Sequence, residues 1–263
     1  MKTRLPSFAV ILAAATLAGG AAMALAQKEM QSLDIEPAET DPPVGIAIVE
    51  LYTSQGCSSC PSADLVLREL KATAAESKLP IYPLSFHVDY WNNLGWPDPY
   101  SEDLFTRRQR AYATAMGSQR VYTPQMIVNG RVEFVGSDRA KARKVVEHAL
   151  KQKAEVEIEL NVKPDSPMRQ VTVAYRLKGP IEGRYLNIAL VDNPAANEVP
   201  NGENAGRTLQ HANVVRALRP VAIANAEGSV EFELPEDVAE AAWQVVAFVQ
   251  DPQTLAIVGA TAK

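Results

Sequence analysis

Hydrophobic and polar residues alternate with two different periodicities along the chain, and the periodicity changes near residue 153. In the first part, short β-branched runs alternate with longer stretches whose apolar residues recur at helical spacing. The predicted strands cover residues 44–52, 81–88, 125–128 and 131–135, and the predicted helices cover residues 59–77, 101–116 and 137–150. Asn129 and Gly130, between two strands, indicate a hairpin turn. This order predicts an α/β domain over residues 44–152.

The second part of the chain has a period of two, with apolar and polar residues alternating between turns rich in Pro, Gly and Asn. The predicted strands cover residues 155–162, 170–177, 184–191, 229–234, 243–250 and 254–260. Several short strands with turn signals between them are typical of a β-sandwich. We therefore expect an all-β, sandwich-like C-terminal domain over residues 153–263.

The first 26 residues have the pattern of a secretory signal peptide. Lys2 and Arg4 precede an apolar stretch rich in Ala and Leu, which ends in an Ala-Leu-Ala cleavage site at residues 24–26. An uncleaved membrane anchor is the alternative, although Ala and Gly favour insertion less than Leu or Ile does. Residues 27–43 are polar and acidic and predict a flexible lead-in. We expect a periplasmic or secreted protein without a membrane span after cleavage.

Composition excludes some classes of partner. The chain has 263 residues, of which 47% are hydrophobic and 22% charged, as in ordinary globular proteins. Its formal net charge is −5, and its basic residues do not form a stripe. Nucleic-acid binding depends on clustered positive charge, so we expect no nucleic-acid partner.

The chain contains only two cysteines, Cys57 and Cys60, in the sequence Cys-Ser-Ser-Cys. A disulfide between them closes a very short loop, so it constrains the unfolded chain little and contributes little to the stability of the fold. The pair follows a predicted strand and begins a predicted helix, where unpaired N–H groups stabilise a thiolate. This position predicts a redox pair in which Cys57, the more exposed and more acidic thiol, attacks and Cys60 resolves the mixed disulfide.

Four segments resemble a known family of exported, thioredoxin-like bacterial proteins, catalogued as domain of unknown function 1223. The segments are residues 51–61 (LYTSQGCSSCP), 86–91 (FHVDYW), 122–125 (YTPQ) and 202–216 (GENAGRTLQHANVVR). The resemblance implies a thioredoxin-like fold for the first domain and a dithiol site, but no particular substrate. Thioredoxin itself has Gly-Pro between its cysteines, whereas this chain has Ser58 and Ser59. We therefore expect an intermediate or reducing potential.

Further candidate residues lie outside the dithiol. In the thioredoxin fold a cis-proline opposes the dithiol, and Pro124 occupies that place in the sequence. Tyr122, Thr123 and Trp91 are candidates for substrate binding. Trp91, together with Trp96 and Tyr100, either lines a substrate groove or packs against the predicted helix at residues 101–116, which is inserted relative to thioredoxin.

His87 and Asp89 leave the second predicted strand together. They form either a proton relay near the dithiol or a polar pair that anchors the aromatic loop, residues 89–100. Asn204 and His211 are best interpreted as parts of a hydrogen-bonded loop, although the family resemblance draws attention to their segment.

Two alternatives to a redox function remain open. Cys57 and Cys60 could form half of a metal site, with the other ligands drawn from His87, His148, His211 or carboxylates, in a binding protein built on the same scaffold. They could also form a disulfide without a catalytic role. The redox prediction itself needs no cofactor and no metal, and its partners are protein or small-molecule thiols and disulfides.

Overall fold

A computed structural model describes residues 33, 45–118, 120–165, 168–194, 196–239 and 243–263. The predicted signal peptide, residues 1–26, lies outside the described residues, and so does the predicted lead-in, residues 27–43, apart from Leu33. The described residues belong to one compact unit. No helix in these ranges combines the length and the apolar character that a membrane span requires.

The first part of the chain contains the predicted strands and helices in the predicted order. It consists of β1 (Ala47–Thr53), α1 (Cys60–Ser77), β2 (Ile81–His87), a 3₁₀ helix (Asp89–Leu94), α2 (Asp103–Ala115), β3 (Gln125–Val128), β4 (Val132–Val135) and α3 (Arg139–Leu150). All seven residues of β1 are buried, as its apolar, β-branched sequence predicts for a central strand. The 3₁₀ helix was not predicted, because its aromatic and Asn-rich sequence has no helical period.

The second part consists of strands. They are β5 (Glu157–Asp165), β6 (Gln170–Lys178), β7 (Tyr185–Asp192), β8 (Asn197–Val199), β9 (Arg207–Leu209), β10 (Val214–Ala222), β11 (Glu227–Glu233), β12 (Trp243–Gln250) and β13 (Ile257–Ala262). Six of them match predicted strands, whereas β8, β9 and β10 were missed. β10 was missed because Arg216, Arg219 and Pro220 interrupt its apolar pattern.

One eight-stranded sheet crosses the predicted boundary at residue 153. Its order is β13-β12-β7-β10-β2-β1-β3-β4. The junction is a short parallel contact between β10 and β2, where Val214 lies opposite Ser85. The pairing covers an edge of β2 whose backbone N–H and C=O groups would otherwise lack partners. The protein is thus a mixed α/β structure with a large central sheet.

The strands after residue 153 do not form a sandwich of their own. β5, β6 and β11 form a three-stranded sheet, while β7, β10, β12 and β13 belong to the large one. The two sheets share an apolar core that includes Val171, Phe232, Leu190 and Val245. The two sheets therefore pack against each other, and the larger one continues into the first part of the chain.

A buried ion pair connects the two parts of the chain. Arg108 of α2 donates two hydrogen bonds to the carboxylate of Glu50 in β1, at 2.8 and 2.9 Å, and a third to the Gln250 side chain in β12 at 3.1 Å. Tyr112 donates to Glu50 at 2.6 Å. Glu50 is fully buried, so these bonds are what make its charge tolerable.

The parallel pairing of β1 with β2 determines where the cysteines lie. Thr53 at the end of β1 is opposite His87 at the end of β2. The chain after each strand therefore emerges at the same edge of the sheet. The Cys-Ser-Ser-Cys loop follows β1, and the aromatic loop follows β2, so the fold brings these two segments together.

Candidate functional site

Cys57 and Cys60 form a disulfide at the start of α1. The helix begins at Cys60, and the Cys60 N–H donates to the Cys57 carbonyl at 3.2 Å. The side chain of Ser59, at the N-cap, makes no capping hydrogen bond. The free N–H groups of the first turn and the helix dipole favour negative charge at this place, which suits a thiolate.

Both cysteines are completely buried, with 0% exposure. The prediction that Cys57 is the more exposed thiol is therefore wrong for this state of the protein. Residues 202–206, which we call the cover segment, are hydrogen-bonded to the loop that carries Cys57. Asn204 donates from its side chain to the carbonyls of Gln55 and Cys57, at 2.8 and 2.9 Å. Glu203 accepts from the backbone N–H of Ser58 at 2.9 Å.

Trp91 joins the disulfide loop to the Thr123–Pro124 segment. Its Cβ would lie 3.3 Å from a Cβ added at Gly56, so Trp91 packs closely against the residue before Cys57. Its indole N–H donates to the Thr123 hydroxyl at 2.8 Å. Trp91 therefore packs against the disulfide loop, a contact that was not among the two roles considered for it.

The Thr123–Pro124 peptide bond is cis. A Cβ added at Gly136 would lie 3.0 Å from the Ala63 Cβ and 3.4 Å from the Pro124 Cβ, so Pro124 lies close to the first turn of α1. Tyr122 faces another way, because its hydroxyl donates to Glu133 in β4. Burial and the Glu133 carboxylate raise the pKa of the Tyr122 phenol.

The structure separates the predicted relay of His87 and Asp89. Nδ1 of His87 lies 2.7 Å from Oδ2 of Asp98, whereas Asp89 accepts a hydrogen bond from the Thr106 hydroxyl at 2.5 Å. Asp89 begins the 3₁₀ helix, so its side chain turns away from the strand and towards α2. The aromatic loop folds back so that the carboxylate of Asp98 contacts His87. No local sequence signal predicts this contact.

His87 and Asp98 stabilise each other's charged forms. Burial lowers the pKa of His87, but the charge and hydrogen bond of Asp98 outweigh burial and raise it overall. Burial raises the pKa of Asp98, yet the charge and hydrogen bond of His87 lower it overall, assisted by backbone N–H groups of Gln55 and Tyr100. The pair is a fully buried ion pair when His87 is protonated.

Gln55, two residues before Cys57, is the centre of the surrounding hydrogen bonds. Its backbone N–H donates to Asp98 at 2.7 Å. Its side-chain carbonyl accepts from the Trp96 indole at 3.0 Å and from Asn197 at 3.1 Å. Its amide nitrogen faces Oδ1 of Asn197 at 3.0 Å and Nε2 of His211 at 3.2 Å. The loop before Cys57 is thus held by both parts of the chain.

His211 and Asp64 complete the polar cluster behind the disulfide. Nδ1 of His211 lies 3.4 Å from Oδ1 of Asp64, which is on α1 one turn after Cys60. The ring of His211 packs edge-on against that of His87, with 4.6 Å between their centroids. Tyr100 makes the same kind of contact with both rings.

Sequence reasoning missed the roles of Asn204, Glu203, Asp98 and Asp64. The family segment at residues 202–216 was the available signal for the first two, but it assigned them no role. Asn204 lies 147 residues after the Cys57 carbonyl that it binds, and Asp98 lies 11 residues after His87. The contact of Asn204 depends on the strand pairing that joins the two parts of the chain, which was itself not predicted, whereas that of Asp98 depends on the path of the loop after β2.

The proposed metal ligands are not gathered in one place. In the described part of the chain, no three His, Cys, Asp or Glu side chains are arranged to bind a metal ion. His148, near the end of α3, instead lines a cavity of about 340 Å³ with residues such as Ile46 and Asn129. His87 and His211 lie together, but with carboxylates that bind them individually.

Comparison with known proteins places the chain in a family. Among solved structures, protein AGR_C_4864 from Agrobacterium tumefaciens is similar at 28% identity and a TM-score of 0.60, covering 83% of this chain and 94% of that one. HBP35 of Porphyromonas gingivalis has a similar fold, at 17% identity and a TM-score of 0.59, covering 83% and 74%. No protein with a curated description matches the chain. A family model matches residues 48–250, and the chain belongs to that family, described as protein of unknown function (DUF1223).

Proposed function

We propose that this protein is an exported thiol–disulfide oxidoreductase that exchanges disulfides with protein or small-molecule thiols through Cys57. The observation that carries the proposal is the disulfide between Cys57 and Cys60 at the first turn of α1, where the helix stabilises a thiolate. In this proposal, residues 44–152 form the thioredoxin-like redox unit, and residues 153–263 are the all-β part added to it. The strand order β2-β1-β3-β4, with α1 after β1, supports that assignment.

The two cysteines divide the reaction between them. In the dithiol form, the Cys57 thiolate attacks a partner disulfide, forms a mixed disulfide and releases one partner thiolate. The Cys60 thiol then loses its proton and attacks the Cys57 sulfur, which releases the second partner thiolate and leaves the Cys57–Cys60 disulfide. The partner is reduced by two electrons. The same steps in reverse oxidise a partner dithiol, and the relative potentials decide the direction.

Pro124, Thr123 and Trp91 are the proposed partner-contacting residues beside the dithiol. Pro124 near the first turn of α1 and the bond from Trp91 to Thr123 support this assignment. Tyr122 is at most a peripheral contact, because Glu133 engages its hydroxyl. The cover segment must move before a partner can meet the sulfurs, because exchange requires direct access to one of them.

Export to the periplasm or secretion is part of the proposal. Its support is the N-terminal sequence of residues 1–26 together with the disulfide, since disulfides persist in oxidising compartments. A periplasmic reporter fusion to residues 1–43 tests it. Retention of the fusion in the cytoplasm would contradict export.

The decisive experiment is to equilibrate the protein with glutathione buffers of graded potential and to measure the fraction of Cys57–Cys60 disulfide. We expect a reversible two-electron transition at an intermediate or reducing potential, together with reduction of insulin disulfides when the protein is recycled. Cys60→Ser should trap a mixed disulfide on Cys57, and Cys57→Ser should abolish exchange. A disulfide that never equilibrates with any thiol, with Cys57→Ser indistinguishable from wild type, would leave only the structural alternative.

A further inference from the structure

The cavity that His148 lines, of about 340 Å³, lies at the opposite end of β1 from the disulfide. Ile46, immediately before β1, is part of its lining, whereas the loop that carries Cys57 follows the other end of the strand. β1 has seven residues, so the strand alone separates the two places by roughly 20 Å. The cavity is therefore distinct from the candidate redox site.

The walls of the cavity come from both parts of the chain and are joined by hydrogen bonds. The Ile257 N–H in β13 donates to the carbonyl of Asn129, in the turn between β3 and β4, at 2.9 Å. The Glu155 N–H, before β5, donates to the Val258 carbonyl at 2.8 Å. The Asn129 side chain donates to the Ile46 carbonyl at 2.8 Å. These bonds hold the walls in place, so the cavity is preformed, as small-molecule sites usually are.

The inner lining of the cavity is apolar. Val128, Ile257 and Val258 from strands and Ala149 from α3 each expose at most 7% of their surface. Val132, at the start of β4, adds an apolar side chain that is 37% exposed. An apolar group that enters the cavity leaves water and contacts these side chains, which is favourable.

Three basic side chains line the same cavity. They are Arg131 from the turn between β3 and β4, His148 from α3, and Lys153 from the segment after α3. Among the residues that the structure describes, none of these three side chains has a hydrogen bond or an ion pair. The acidic residue of the lining, Glu155, is engaged by Arg184 at 2.6 Å. The cavity therefore combines an apolar interior with positive charge that has no counter-charge.

The end of α3 is too weakly charged to account for these cations. A helix C-terminus carries about half a negative charge. The carbonyls at the end of α3 lie against Gly45, 2.4 to 2.6 Å from the position of an added Cβ. Arg131 and Lys153 carry two positive charges, and Arg131 belongs to another element. The cavity is thus a positively charged place in a chain whose formal net charge is −5.

We propose that this cavity binds a small organic anion with an apolar body, of the class of medium-chain or aromatic carboxylates. The apolar body lies in the inner cavity, and Arg131 and Lys153 hold the carboxylate, with His148 as a further donor. A guanidinium offers a carboxylate two parallel N–H groups, which gives the site its preference for this group. Small-molecule sites have volumes of about 300 to 1,000 Å³, so this cavity suits a ligand smaller than a nucleotide.

The first test uses isothermal titration calorimetry of the whole protein with octanoate and with naphthoate. We expect at least one of them to bind saturably, with one molecule per chain. Octanol has the chain without the charge, and inorganic phosphate has charge without the chain, so both should bind at least about tenfold more weakly. Octanol binding as tight as octanoate binding would overturn the proposal, and so would the absence of saturable binding by both carboxylates.

The second test locates the bound anion. Arg131→Gln and Lys153→Gln should each weaken carboxylate binding about tenfold, because each removes a charged hydrogen bond. Lys163→Gln, in the exposed part of β5, makes the same change in net charge and is the matched control, which should bind like wild type. Ala154→Trp places a large side chain in the lining and should abolish binding, with folding confirmed by circular dichroism. Unchanged affinity in Arg131→Gln and Lys153→Gln would overturn the assignment.

A partner protein that inserts its own chain end is the competing occupant. A short peptide with an apolar C-terminal residue and a free C-terminal carboxylate tests it by competition. Octanoate should displace such a peptide if it binds at all, because both would use the same cations. A peptide that binds to this cavity and is not displaced would overturn the small-molecule assignment. These measurements need no thiol or disulfide, so their outcome does not depend on the proposed redox function.

Discussion

At the scale of single residues, the pair of His87 and Asp98 links the stability of the site to pH. His87 has a pKa raised above 6.5, so its stabilisation is complete below about pH 6.5 and is lost as the pH rises through the folded value. Asp98 has a pKa lowered below 3.8, so its stabilisation is present above about pH 3.8 and is lost as the pH falls through the folded value. The pair therefore stabilises most between about pH 4 and pH 6.5.

Asp98→Asn should remove this dependence. The variant leaves His87 buried without its counter-charge, so we expect the free energy of unfolding to fall by about 3 kcal/mol at pH 5.5 and by less at pH 9. Urea unfolding at the two pH values measures the difference. Asp89→Asn is the control, since its carboxylate binds Thr106 and not a histidine. An equal loss for Asp98→Asn at both pH values would contradict an ionised pair.

Local spacing was enough to predict some residues of the site and not others. Cys57, Cys60 and Pro124 could be assigned because strand, helix and hairpin signals lie beside them in the sequence. Asn204 could not, because its partners depend on which strands pair, and Asp98 could not, because the loop that carries it has no regular period. The burial of Cys57 could not be predicted for the same reason: the segment that covers it comes from far along the chain.

At the scale of elements, we expect the cover segment to control access to the disulfide. It is held to the disulfide loop by Asn204 and Glu203, through three side-chain hydrogen bonds to backbone groups. Gly202 and Gly206, at its two ends, have φ of 79° and 76°, in the left-handed region that favours glycine. Few bonds and glycine at both ends are what a displaceable segment requires.

Asn204→Ala should make the disulfide easier to reduce. Each of the two lost hydrogen bonds contributes about 1 kcal/mol, so the open form should gain roughly tenfold to thirtyfold in population. The pseudo-first-order rate of reduction by dithiothreitol should rise by the same factor. Asn161→Ala, in the exposed part of β5, is the matched control and should leave the rate unchanged. Equal reduction rates for wild type and Asn204→Ala would show that the segment does not limit access.

Most elements could be predicted from periodicity, and those that were missed have identifiable causes. β8 and β9 have three residues each, which is too short for an alternating pattern. β10 carries Pro220, which normally argues against a central strand, yet it lies between β7 and β2. Without β10 the predicted fold divides into two domains, because β10 is the strand that continues the first sheet into the second part.

At the scale of the whole molecule, the two parts of the chain share a sheet and a buried ion pair. The sheet contact between β10 and β2 is short, with one aligned pair at Val214 and Ser85. Glu50 and Arg108 add a second connection, because Arg108 also binds Gln250 in β12, and Gln250 binds Asn187 in β7. The guanidinium also packs over the ring of Phe248 at 5.3 Å. We therefore expect both parts to unfold together.

Arg108→Met tests this coupling. The substitution leaves the Glu50 carboxylate buried without a counter-charge, so the free energy of unfolding should fall by about 3 to 5 kcal/mol. Adding Glu50→Gln should recover part of that loss, because the uncompensated charge disappears, and a double-mutant cycle in urea gives the coupling energy. Arg107→Met is the matched control: Arg107 makes an exposed ion pair on the same helix, worth at most about 1 kcal/mol.

Because Arg108 contacts β1 and β12, tryptophan fluorescence and far-ultraviolet circular dichroism should report one common, shifted transition. Separate transitions for the two probes would mean that the shared sheet does not make the molecule cooperative.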